Sequence, residues 1–317
     1  MYRILLTSLE GTQDTFDLKI IGNSIDFDHI VDPATVFGAS TSVSATTATT
    51  IDLTKSISSS GTNRLLLVGI SVLPTTATIS SVTWRDDACT GTPVNSQTLS
   101  VVSGASSTTN VHTEIYSLVA PASKTGGHIC VSLGGSPLLS ITGATDLTGV
   151  DQTTPILNSG KNTGTGTTPS VTVTSTSGNL IFGVLGEPDK KSITDTNTNQ
   201  WNNVPGGSTL IGAAGSTKTS TTTSTSISWT LGSSTTWSAS AVEIQSVPAT
   251  PPTFTMQYYS DSALTTALAD NPRLKVGTYY IKITSNELLS GTPTISIAAE
   301  GTANDVTNVV TSPVSGN

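Results

Sequence analysis

The sequence predicts an all-β fold of antiparallel, sandwich-like sheets, and three observations carry that prediction. Charged residues make up only 11% of the 317 positions, against ~25% in an average soluble protein, and Thr, Ser and Gly stand where strong helix formers usually do. Runs such as Ser226-Ile227-Ser228-Trp229-Thr230-Leu231 alternate apolar and hydroxyl side chains with the period of a half-buried strand. No segment sustains a 3.6-residue period between helix caps.

Taken in order, residues 1–42 read as a lead-in segment with one or two strands, where Asp14, Asp17, Asp26, Asp28 and Asp32 are interleaved with apolar pairs such as Ile20-Ile21. From residue 43 onward, short β-rich runs are divided by Gly, Pro, Ser and Asn clusters: 50–55, 64–73, 79–84, 97–102, 112–119, 128–133, 138–147, 170–174, 179–185, 226–231 and 238–245. Leu65-Leu66-Leu67-Val68-Gly69-Ile70 is apolar on both faces, which predicts a central strand covered on each side. Eleven runs over residues 43–247 suit a jelly-roll-like antiparallel double-sheet sandwich better than a sandwich of about seven strands. Pro248, Pro251 and Pro252 mark 248–252 as a semi-rigid linker, because proline donates no ladder hydrogen bond. Within 253–317, three further strands are expected at 254–259, 277–283 and 293–297. That is short of the ~100 residues of a full sandwich module. The last module is therefore expected to be partial, either cut from a longer polypeptide or completed by strand addition from another subunit.

A formal charge of -8 with scattered Lys and Arg argues against nucleic acid as a partner. Membrane insertion is not expected, since no apolar run approaches ~20 residues and the longest, 65–72, is interrupted by Gly69 and Ser71. No export signal is visible in residues 1–9, whose apolar stretch is too short for one.

Gly149-Val150-Asp151-Gln152-Thr153-Thr154-Pro155, Thr168-Pro169-Ser170-Val171-Thr172-Val173, and Ser228-Trp229-Thr230-Leu231 with Trp237 and Ala241-Val242-Glu243-Ile244 together resemble a jelly-roll-like domain of bacterial surface and secreted proteins. Tyr258-Tyr259-Ser260-Asp261, Asn271-Pro272-Arg273-Leu274, Gly277-Thr278-Tyr279-Tyr280-Ile281-Lys282-Ile283 and Gly301-Thr302-Ala303-Asn304-Asp305-Val306 are similar to repeated Ig-like modules of very long bacterial surface proteins. The resemblance implies a partial Ig-like β-sandwich at 253–317, an extracellular or cell-surface location, and display in tandem with other modules.

Catalytic patterns are not evident. No Gly-x-Ser-x-Gly elbow occurs, and His29, His112 and His128 read as hydrogen-bonded or solvent-facing residues. Cys89 and Cys130 form either a disulfide or two separate thiols. Calcium is the one cofactor worth weighing, with Asp146 and Asp151 as ligands from loops; Asp151 could equally support the turn into Pro155. For glycans, Trp201 is the expected platform, flanked by Asn199, Gln200 and Asn202 in what reads as a loop. Trp84 and Trp229 face inward. The Thr-rich tract 216–226 reads as a flexible loop or an acceptor of O-linked sugars, and no Asn-x-Ser/Thr acceptor occurs. The expectation is a non-enzymatic structural or adhesive module of an extracellular surface protein, contacting glycans or other surface proteins. Two alternatives stand beside it: a carbohydrate-binding module using Trp201, and a phage or virus virion protein such as a fibre or capsid decoration.

Overall fold

A computed structural model describes residues 2–6, 35–106, 110–135, 139–206, 210–247, 254–269, 279–285, 294–297, 306–310 and 312–313. The acidic lead-in with His29, the linker at 248–252, the Asn271-Pro272-Arg273-Leu274 motif and the Gly301 to Asp305 motif lie outside the described residues. Contacts divide the chain into two compact units, Pro33–Pro248 and a second formed by Met1–Asp32 with Ala249–Asn317. Among the described residues every regular element is a strand, so the chain is an all-β antiparallel sandwich protein as its sequence predicts.

The strands run in chain order as β1 (Tyr2–Leu6), β2 (Val36–Phe37), β3 (Thr41–Thr46), β4 (Thr50–Ile57), β5 (Leu65–Leu73), β6 (Thr78–Arg85), β7 (Gln97–Thr98) and β8 (Ser100–Ser106). They continue as β9 (His112–Val119), β10 (Lys124–Gly134), β11 (Leu139–Thr148), β12 (Ile156–Gly166), β13 (Ser170–Thr174), β14 (Leu180–Glu187), β15 (Ile193–Asp195) and β16 (Thr198–Asn203). The last are β17 (Gly212–Thr219), β18 (Ser224–Leu231), β19 (Thr235–Ile244), β20 (Phe254–Tyr259), β21 (Tyr279–Ser285), β22 (Thr294–Ile297), β23 (Val306–Val310) and β24 (Ser312–Pro313).

The unit Pro33–Pro248 is four sheets deep. Strands β3, β11, β5, β9 and β8 lie side by side, with β2 also on β11, and face a sheet ordered β4-β10-β6-β7. Between them Ile51, Leu53, Val82, Trp84, Ile129 and Val131 pack on Leu66, Val68, Ile70 and Val72. A second pair of sheets, β12-β19-β14-β17-β16 and β13-β18-β15, encloses Val171, Val173, Ile181, Leu185, Ile227, Trp229 and Leu231. The two larger sheets then pack back to back through Leu65, Leu67, Ile115 and Ile141 against Phe182, Val184, Trp201 and Val242. Strand β5 is apolar on both faces because it lies between two cores, which is why the period-two alternation is lost there.

The two sandwiches are copies of one topology. In each, counting eight strands along the chain, the first pairs with the eighth, the second with the seventh, the third with the sixth and eighth, and the fourth with the seventh. This is a jelly-roll-like order, and the region holds it twice, as β3–β6 with β8–β11 and again as β12–β19. Registers agree as well. Gly69 pairs with Ile115 and Gly143, and Val184 pairs with Gly215 and Ser240, so these triplets occupy equivalent positions. Counting along the strands from them makes Asp146 of the first copy the counterpart of Glu243 in the second. The pairings β8/β9 and β16/β17 slip at matching places, Val101/Ser103 and Asn199/Trp201. Across the seam, a Cβ on Gly69 would meet Val184 and one on Gly186 would meet Ser71. Equivalent positions therefore face one another, and the copies are related by a local two-fold running along the strands, as in an isologous dimer.

In the second unit the sheet order is β20-β21-β1-β24, with a separate hairpin of β22 and β23. Strand β1 pairs with β21 from Tyr2↔Ile283 to Leu6↔Tyr279, so a strand from the far end of the same chain lies inside this sheet.

Candidate functional site

Trp201 is not a loop platform. It lies in β16 and is 4% exposed, its ring seated in the seam between the two sandwiches. Added Cβ atoms at Gly143 and Gly215 would fall 2.1 and 2.3 Å from the indole, and one at Gly69 would fall 3.1 Å away. The ring thus fills a slot that three strand glycines leave open, and neither face is available to a sugar. The neighbouring amides are committed too. Gln200 accepts from Ser40 and donates to Thr217, Asn202 donates to the Ile193 carbonyl, and Asn199 donates to Asp195.

The expected calcium ligands are not brought together. Asp146 is buried beside Lys55, whose Nζ lies 2.6 Å from its carboxylate and also donates to the Ala39 carbonyl. Asp151 accepts the backbone N–H groups of Thr153 and Thr154, an Asx turn that lowers its pKa and leads into Pro155. Among the described residues no group of three or more His, Cys, Asp or Glu side chains is placed to hold a metal ion.

Two fully buried glutamates were not singled out by the sequence. Burial alone would raise the pKa of Glu243, but donors from Asn179, Asn158 and Thr176 outweigh it and leave the group below its ordinary value. Among the described residues Glu187 receives only the backbone N–H groups of Asp189 and Lys191, and burial pushes its pKa to about 7. Both acids organise the loops at sandwich ends.

The surface feature most completely built is the loop between β6 and β7. Cys89 and Cys130 are bridged, with Cα atoms 5.4 Å apart, which pins the loop to β10 on the outer face of the first sandwich. Asp52, opposite Cys130 on β4, accepts the Cys89 N–H at 2.9 Å and bonds His128 at 2.6 Å. Inside the loop, Asp87 accepts the Val94 N–H, Asp86 accepts from Asn95, and the buried Arg85 donates to the Asp87 and Ala88 carbonyls. Residues 90–96 are exposed on this frame, and Val94 is 50% exposed. The sequence signal was present as Arg85-Asp86-Asp87-Ala88-Cys89 running into Gly91 and Pro93.

The Thr-rich tract ends β17, crosses from one sheet of the second sandwich to the other and opens β18, and this connection is fastened by a triangle of hydroxyls from Ser175, Ser220 and Thr225. Residues 221–224 are exposed along it. Comparison with protein-family models, with curated proteins and with solved structures finds no match.

Proposed function

We propose that the chain is a non-enzymatic structural or adhesive module of an extracellular protein, with the stapled loop at residues 86–96 as its contact surface. The carrying observation is the Cys89–Cys130 bridge, since disulfides persist in oxidising compartments. The second support is preorganisation. A loop fixed by a disulfide, an Asp52 clamp and internal hydrogen bonds loses little entropy on binding, and loops on rigid scaffolds are favoured places for recognition. A module of this kind belongs on a cell surface, beside Ig-like repeats of the sort its C-terminal motifs resemble.

The test is protease shaving of intact producing cells followed by non-reducing electrophoresis. Release of the chain with its disulfide intact is expected. Recovery only from the cytosol with Cys89 and Cys130 reduced would end this reading, and recovery within purified virus particles would transfer the module to the virion alternative.

A further inference from the structure

At one end of the seam, where β5 and β14 emerge together, the two sandwiches border an open cleft of about 280 Å³. Its lining follows the local two-fold. Counting along the paired strands from Gly69 and Val184, Leu73 is the counterpart of Pro188, Pro74 of Asp189, and Asn110 of Leu210, and all six line the cleft. An axial cleft between two folded halves is a favoured place for a small ligand.

The equivalent positions have diverged in chemistry. A seam that only joined two copies could use the same apolar residues in both, but here Pro74 is matched by a carboxylate and Asn110 by a leucine. Asp189 is held by two hydrogen bonds of its own, and the loop that carries it by a third. Its N–H donates to buried Glu187 at 2.8 Å, its Oδ2 accepts from the Thr235 hydroxyl, and the following loop is fastened by the Lys191 N–H on Glu187 at 2.7 Å. Among the described residues Asp189 has no ion pair. The nearby Lys191 offsets the charge of Glu187. Beneath the cleft, two residues along β5 on the seam-facing side of Leu73, the fully buried Ser71 Oγ has no hydrogen-bond partner among the described residues.

We propose that this cleft binds a small aliphatic cation, the ammonium group on Asp189 and the hydrocarbon against Leu73, Leu210, Pro74 and Pro188. An oriented carboxylate beside apolar walls selects a molecule with one positive end and an apolar tail, because either part alone leaves half of the site unmatched. A net charge of -8 on the chain also favours approach of a cation over an anion of equal size. This inference is independent of the adhesive reading, whose contact loop lies on the outer face of the first sandwich.

The experiment is a titration of the whole isotope-labelled chain with n-hexylammonium chloride, followed by amide chemical shifts, with hexanoate as the matched anion. Saturable shifts at Leu73, Asn110, Asp189 and Leu210 are expected for hexylammonium and not for hexanoate. Asp189→Asn should weaken binding by about tenfold, the effect of losing one charge-assisted contact. Leu210→Ala should weaken it while leaving the preference for the cation. Asp189 and Leu210 are exposed, so both variants keep the dispersed spectrum of the native fold. Shifts that never saturate, that scatter over the acidic surface, that appear equally with hexanoate, or that persist unchanged in Asp189→Asn would overturn the proposal.

Discussion

Gly143 and Trp201 make one unit of packing. The indole occupies the space where a Gly143 side chain would be, 2.1 Å from the ideal Cβ. Gly143→Ala must therefore shift either the ring or β11, at a cost of about 1–3 kcal/mol of stability by the usual scale of overpacking. Trp201→Ala leaves a cavity in the seam and should cost about 3–5 kcal/mol. Combined in one chain, the two should cost clearly less than their sum, since alanine at 143 meets no ring once Trp201 is gone; denaturant titration of the four proteins in the cycle measures this. Glu187 provides a second residue-scale expectation. Its folded pKa of about 7 lies above the ordinary 4.5, so between these values the native chain holds a proton that the unfolded chain has released. Its contribution is fully present below about pH 4.5 and is lost as pH rises toward 7. Glu243 and Glu114 are lowered, so they act oppositely, contributing above their ordinary pKa and losing that contribution as pH falls. Stability should pass through a maximum in mildly acid solution, and Glu187→Gln should flatten the fall on its neutral side. Melting temperatures across pH decide it, and an unchanged slope in the variant would refute the assignment.

At the scale of elements, the disulfide joins residues 41 apart in sequence, and reduction should lower stability by about 2–4 kcal/mol. Because Asp52 and Arg85 still hold parts of the loop, the sandwich should stay folded while cleavage by protease concentrates at residues 90–96. Melting with and without reductant, paired with limited proteolysis, checks both. The contrast among strands explains what the sequence disclosed. Strands β4, β13 and β18 alternate apolar and polar residues, and β5 and β14 are strongly apolar, so all five were readable. Strands β12, β16 and β17 were missed because glycine, alanine and asparagine dominate them. The cause is physical. Gly215 is small because Trp201 lies on it, and Gly160 is small because the Thr172 carbonyl would meet its Cβ at 2.4 Å. The residues that let layers approach closely are those that erase strand propensity, so the sequence around Trp201 has the character of a loop. Asp146 looks like a free calcium ligand in the sequence for a similar reason, since its partner Lys55 is 91 positions away.

For the whole unit, the two-fold repetition was hidden because loops of unequal length separate equivalent strands, and a count of apolar runs cannot distinguish one large double sheet from two stacked ones. The packing nevertheless sets what holds the halves together. Their seam is a buried apolar layer with Leu65, Leu67, Ile115, Ile141, Phe182 and Val184 fully covered, the character of an obligate interface rather than of a transient one. The covalent link between the copies is the segment from β11 to β12, where Thr153 and Thr154 are exposed, and the disulfide lies entirely within the first copy. A protease site inserted at Thr153-Thr154, combined with Ile4→Pro to break the β1–β21 pairing that also joins the two fragments, should therefore be cleaved without separating the halves. They should elute together in gel filtration and come apart only in denaturant. Adding Trp201→Ala should let them separate at a lower denaturant concentration, because the indole bridges Gly143 of one copy and Gly215 of the other. Halves that part in native buffer as soon as the segment is cut would mean that the linker, and not the seam, keeps the two sandwiches together.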